Sequence, residues 1–216
     1  MKLEEMAAFF EARLDGYDHQ MLCNVEGCKE GYDKVVALLP ADAEHILDLG
    51  CGTGLELDVI FAARPILQVT GVDLSQGMLD VLAKKHADKK LQLLCGDYFA
   101  LPLGENKFDC AISVESLHHF SHEAKTALYS RIHAALKENG CYIECDYMVL
   151  TQQEEDALFA ENERLRAQAD IPQNVYCHFD TPCTVQNQIA MLRQAGFRRV
   201  TQHMRIGATT VLLAEK

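Results

Sequence analysis

The sequence predicts an α/β fold: a mostly parallel sheet of seven strands, helices on both faces and an antiparallel hairpin at the C-terminal end. Three observations predict it. From residue 45 to 150, short apolar runs alternate with segments whose apolar residues recur at helical spacing. The first of these runs, ILDL, leads into the glycine-rich turn GCGTG. The last two runs, RRVTQHMRI and ATTVLLAEK, meet at Gly207, as a hairpin requires.

The elements follow in order. Residues 3–14 and 17–39 carry helical spacing, and Pro40 stops the second. His45–Leu49 is an apolar strand, and Gly54–Ala63 a helix that ends before Pro65. Leu67–Val72 is the next strand, after which Ser75 caps a helix reaching His86. Leu91–Cys95 and Phe108–Ser113 are the third and fourth strands. Ser121 caps a helix over 122–137, Gly140 follows it, and Cys141–Met148 is the fifth strand. The polar segment 151–169 is helical, and a loop, DIPQNVYCHFDTPC, follows. Thr184 caps a last helix that Gly196 terminates. The whole chain, 1–216, reads as a single domain, with 1–40 as an N-terminal helical cap and 151–183 as a lid inserted over a substrate site.

Composition narrows the functional classes. The 216 residues are 49% hydrophobic, enough for one substantial core. A net charge of −12 is a poor match for phosphate backbones and argues against nucleic acid as the main partner. No stretch approaches the ~20 apolar residues of a membrane span. The N-terminal MKLEEMAAFFEARLDGYD mixes acids with apolar residues, unlike a signal peptide. The nine cysteines are scattered without repeated spacing, which predicts free thiols in a reducing, cytoplasmic setting. Cys177 and Cys183 lack the second half of a zinc site, so no metal is predicted. A monomer or a homodimer is expected.

The turn carries the chemistry. Gly50, Gly52 and Gly54 fall on alternate positions, and such a loop after a buried strand brings a ligand against main-chain atoms. Dinucleotide sites use G-x-G-x-x-G; here the spacing is G-x-G-x-G, with Asp48 two residues ahead. A carboxylate so placed suits a cationic ligand better than a pyrophosphate. Asp73 ends the next strand, where a carboxylate accepts both hydroxyls of a ribose. Asp97 ends the third strand, in a position suited to the amine of a base.

LDLGCGTGLE, VTGVDLSQGML, LLCGDYFALPL and FDCAISVESLHHF, in that order, resemble the class I S-adenosylmethionine-dependent methyltransferases, as does QIAMLRQAGFRRV with its following hairpin. The resemblance is strong over about 45–150, good over 184–216 and weak elsewhere, and it is nearest to the small-molecule, ubiquinone/menaquinone methyltransferase-like group. It implies a Rossmann-like fold and S-adenosyl-L-methionine as cofactor, with S-adenosyl-L-homocysteine as product. Asp48, Gly50, Gly52 and Gly54 would surround the amino-acid end. Asp73 would hold the ribose, with Leu74 and Met78 beside it. Asp97 would face the adenine amine and Tyr98 would contact it, while Ser113 would lie near the methionine part. Tyr17 would line or close the cofactor pocket from the cap.

The implied reaction is in-line methyl transfer to an O, N, S or C nucleophile of a small molecule. His118, His119 and His178 are the candidate catalytic residues, and Glu115 a further possible base. Competing readings are a non-catalytic cofactor-binding scaffold, whose lid would seal the acceptor cavity, and an NAD-linked oxidoreductase, which needs the other glycine spacing.

Overall fold

The computed structural model of the protein describes residues 3–172 and 174–216. Seven strands form the main sheet: β2 (His45–Leu49), β3 (Gln68–Asp73), β4 (Lys90–Cys95), β5 (Phe108–Val114), β6 (Leu136–Tyr147), β8 (Arg199–Ile206) and β9 (Thr209–Glu215). Their spatial order is β4-β3-β2-β5-β6-β9-β8. All neighbours are parallel except β9, which runs antiparallel to both β6 and β8. The predicted architecture is therefore the observed one. The strand order reverses between β2 and β5, and in such a sheet the crevice beyond the carboxyl ends at that point receives ligands.

Side-chain alternation along the strands splits the interior into two cores. Leu47 and Leu49 face the helices α6 (His122–Ala135) and α8 (Val185–Gln194), with Leu128, Ile132 and Leu192. Ile46 faces the opposite side, with Val35 of α3 (Cys28–Leu38), Ile60 of α4 (Leu55–Ala63) and Leu82 of α5 (Gln76–Lys85). Each such fully buried side chain stabilises the fold by about 1.5–3 kcal/mol.

Ser75, Ser121 and Thr184 cap their helices as predicted, accepting from the backbone N–H of Met78 (3.1 Å), Ala124 (3.3 Å) and Asn187 (3.2 Å). The polar segment forms α7 (Gln152–Gln168), started by a reciprocal Thr151–Glu154 capping box.

Three element boundaries differ from expectation. The helix over 17–39 breaks into α2 (Tyr17–Asn24) and α3, because Gly27 has φ +79° and its backbone packs against Ile206, where a Cβ would lie 2.8 Å from the Ile206 Cβ. The first helix is only α1 (Met6–Glu11), since Glu4–Glu5 instead forms a short strand, β1. The helix over 122–137 ends at Ala135 and β6 begins at Leu136.

β1 pairs antiparallel with β7 (Cys177–His178), Glu4 opposite His178 and Glu5 opposite Cys177. Met6 N–H donates to the Tyr176 carbonyl at 3.0 Å, and the Phe9 ring stacks on His178 with centroids 3.5 Å apart. The N-terminal segment and the 151–183 segment are thus joined over the carboxyl edge of the sheet. All nine cysteines are free, Cys177 and Cys183 included. Among the described residues no helix is long and apolar enough to cross a membrane.

Candidate active site

The three glycines of the turn all have positive φ: +75° at Gly50, +47° at Gly52 and +75° at Gly54. L-residues pay for that conformation, which is one reason for glycine at each position. The second reason differs from one to the next. A Cβ on Gly50 would meet the Ser116 Oγ at 2.0 Å, and one on Gly54 the Leu82 Cδ1 at 2.4 Å. A Cβ on Gly52 would have no atom nearer than 4.0 Å. Two glycines therefore accommodate the protein's own packing, and Gly52 alone presents bare backbone to open space.

That space is a narrow cavity of about 50 Å³ bordered by Gly50, Gly52, Asp73, Leu74, Met78 and Tyr98. A larger cavity of about 770 Å³ adjoins it, with Phe10, Tyr17, Glu115 and His119 as shared walls. Asp73 sits between β3 and the turn, its carboxylate accepting from Gly52 N–H at 2.9 Å and Ser75 N–H at 2.8 Å. Burial raises its pKa while those two donors oppose the rise. Leu74 and Met78 follow it into the wall, Met78 from the first turn of α5. Tyr98 is buried, its hydroxyl 3.2 Å from the Ser116 Oγ. Tyr17 opens α2 and reaches both cavities; the same helix is tied to the turn by Thr53, whose hydroxyl donates to Asp18 at 2.5 Å.

Four residues expected at the cofactor, Asp48, Gly54, Asp97 and Ser113, do not border either of these cavities. Asp48 alternates with Leu47 and Leu49, so it points to the face that α4 covers. There it is wholly buried beside Glu56; burial and the neighbouring Glu56 carboxyl push Asp48 up, while burial pushes Glu56 up to about 7 although its contact with Asp48 works the other way. Ser113 is buried within β5, its hydroxyl 2.5 Å from the Tyr142 OH. Asp97 folds back on its own turn and accepts from Phe99 N–H at 2.7 Å. Gly54 borders only a separate, smaller cleft beside the loop.

The residues just past β5 take the place expected of Ser113. Glu115 and Ser116 border the narrow cavity, and Glu115 has φ +47°, a strained geometry for a non-glycine residue. Burial, with Asp146 nearby, pushes the Glu115 carboxyl up to about 7. The sequence signal for this pair was the end of strand β5; only the exact strand boundary decided which residue reached the lip.

The three candidate histidines converge. His118 and His119 have ring centroids 4.0 Å apart, and His178 lies 4.8 Å from His119. His118 Nδ1 is 2.5 Å from the Asp146 Oδ1. Asp146 ends β6 and is itself held by Leu117 N–H at 2.9 Å. Burial disfavours the charged imidazole of His118, but Asp146, Glu115 and Asp180 outweigh it and raise the pKa to about 9. Burial and the neighbouring His118 push His119 down to about 4, leaving it neutral at pH 7. Burial also lowers His178. Asp180, from the 151–183 segment, faces both His118 and His119 and is held down at about 2 despite burial. Neither Asp146 nor Asp180 was legible as a partner, because sequence distance hides both.

Residues 46–140 match the family model described as a methyltransferase domain. An O-methyltransferase of Penicillium expansum, cnsE, is 31% identical over 171 residues, 76% of this chain and 55% of the relative. The chain thus spans about half of that relative's length. A methyltransferase solved in complex with the Trm112 methyltransferase activator of Haloferax volcanii superposes with a TM-score of 0.70 at 17% identity, covering 98% of both chains. Human N-acetylserotonin methyltransferase, solved with SAM, has a TM-score of 0.64 at 21% identity over 88% of this chain and 52% of that one. The fold, the turn and these matches agree: residues 46–140 are a methyltransferase domain, set in the fold of the solved S-adenosylmethionine-dependent methyltransferases.

Proposed function

We propose that the protein transfers a methyl group from S-adenosyl-L-methionine to an O, N, S or C nucleophile of a small molecule, releasing S-adenosyl-L-homocysteine. One observation carries the reading: Gly52 offers uncovered backbone to the cavity while Asp73 is clasped beside it by two N–H donors. The residues present fit the cofactor. Asp73 has the position to accept ribose hydroxyls, Met78 and Leu74 make an apolar wall for the nucleoside, and Tyr17 closes the cavity from α2.

When bound, the cofactor supplies a methyl group on a positively charged sulfur. The chain supplies alignment and dryness. Orientation of the reacting groups contributes on the order of 7–11 kcal/mol to such reactions. The acceptor occupies the larger cavity, where His118, His119, His178 and Glu115 face it. Glu115 and His119 are the titratable side chains of this group that border both cavities, which places them to take a proton from the acceptor. The open volume of this second cavity speaks for catalysis over a sealed, scaffold-only role. Free thiols throughout, and acidity overall, suit a cytoplasmic protein acting as a monomer or homodimer on a small molecule.

Calorimetry with S-adenosyl-L-homocysteine tests the reading. Wild type binds in the micromolar range and Asp73→Ala loses at least tenfold. No uptake by folded wild type refutes it.

A further inference from the structure

We propose that His118, His119 and Asp180 form a three-ligand site for a divalent transition-metal ion of the zinc type, on the wall of the larger cavity. The ion's open positions face the larger cavity. They would bind the oxygen or sulfur of a hydroxyl- or thiol-bearing acceptor, a consequence that rests on the methyl-transfer reading above.

The donor atoms stand as an ion requires. Asp180 Oδ1 lies 3.2 Å from the His119 Nδ1 and 3.6 Å from the His118 Nε2, and all three atoms lie within 4.8 Å of one another. Bonds of about 2.0–2.1 Å in tetrahedral geometry put ligand atoms about 3.3 Å apart. Asp180 Oδ1 is shielded from water, in a side chain that is 45% exposed overall, and makes no aligned hydrogen bond, so the two imidazole nitrogens are the polar atoms it faces. The only other contact recorded for His119 Nδ1 within hydrogen-bond distance is a long one, 3.4 Å, to the Phe179 carbonyl.

The other side of His118 is already committed. Its Nδ1 meets Asp146 at 2.5 Å, a gap with no room for an ion between them. That contact instead fixes the ring and directs Nε2 outward, the carboxylate–histidine arrangement that supports metal-bound imidazoles. Glu115, 3.9 Å from the His118 Nδ1, adds negative charge on that side of the ring. Asp180 is brought to the pair by its neighbour: Thr181 N–H donates to the His118 carbonyl at 2.7 Å. Two adjacent histidines and one carboxylate, with open positions beside a cavity, match the donor set of sites that bind an exchangeable ligand. No ligand spacing in the sequence announced it, because Asp180 comes from a different segment.

The test uses the full chain, stripped with a chelator and titrated with cobalt(II). Dialysis with metal analysis gives stoichiometry, and the ligand-field absorption reports coordination. Wild type should retain one ion. Asp180→Asn and His119→Gln should each weaken retention at least tenfold, and Asp146→Asn about 10–100-fold. His178→Gln, on the same wall but outside the donor set, should leave it unchanged. Wild type that retains no cobalt, or retention indifferent to both Asp180→Asn and His119→Gln, overturns the site. Binding of S-adenosyl-L-homocysteine is measured alongside and should survive Asp180→Asn within twofold. Its absence from wild type would refute the methyltransferase reading, while the cobalt titration decides the ion site independently.

Discussion

Replacing Gly52 with alanine separates ligand contact from packing. A Cβ at this position meets nothing within the protein nearer than the Gly50 carbonyl at 4.0 Å, so the fold loses only what φ +47° costs an L-residue. That cost is about 1–2 kcal/mol. For a domain of this size, each kcal/mol lowers the melting temperature by about 2–4 °C, giving a drop of about 2–8 °C. The new methyl group projects into the narrow cavity, and affinity for S-adenosyl-L-homocysteine should fall at least tenfold, about 1.4 kcal/mol. Gly54→Ala is the counterpart. Its Cβ would overlap the Leu82 Cδ1 at 2.4 Å, so the fully buried Leu82 side chain of α5 must repack and stability suffers more than affinity. Differential scanning fluorimetry and calorimetry on both variants complete the comparison. A Gly52→Ala protein that binds like wild type would mean that the bare backbone faces no ligand, and the assignment of the cofactor to this turn would fail.

Other perturbations have definite outcomes. Asp48 is raised in the fold by burial and the neighbouring Glu56 carboxyl, and Glu56 by burial, so the folded state holds protons that the unfolded chain releases. Stability from this pair is therefore greatest in acid and declines as pH rises from about 4 toward 7. Asp48→Asn should raise the melting temperature at pH 7.5 by a few degrees and flatten that decline, as read from melts across pH; an unchanged slope refutes the coupling. Asp109 behaves oppositely. It accepts from Glu44 N–H at 3.0 Å, His45 N–H at 2.9 Å and Lys137 Nζ at 2.6 Å, and these hold its pKa down against burial. Asp109→Ala should cost about 1–3 kcal/mol in urea unfolding at pH 7, and less below pH 4, where the carboxyl of wild type takes up its proton. Phe9→Ala removes the ring stacked on His178 and should speed protease cleavage within 151–183 at least severalfold; equal rates would show that the stack does not hold that segment.

The sheet was legible because its information is local. Alternating apolar runs, the caps at Ser75, Ser121 and Thr184, and Gly207 at the hairpin each announce themselves within a few residues. The site was legible only in part. Gly52, Asp73, Leu74, Met78, Tyr98 and Tyr17 reach the cavity walls as anticipated. Asp48 and Ser113 were placed by their distance from a motif, and strand alternation, not distance, determines which face a side chain serves. Asp48 sits one position out of phase with an outward view, so its carboxyl is spent beneath α4. Asp146 and Asp180 were invisible as histidine partners because pairing between strand ends and an inserted segment has no period. Gly27 was read as part of a continuous helix, since the obstruction that requires it, Ile206, lies near the other end of the chain.

The β1–β7 pairing ties together two pieces distant in sequence. Both pieces line the larger cavity, Phe9 and Arg13 from the first and His178 and Asp180 from the second. Loosening either piece therefore disturbs the wall that the other contributes, and a change in one is felt in the shape of the whole chamber.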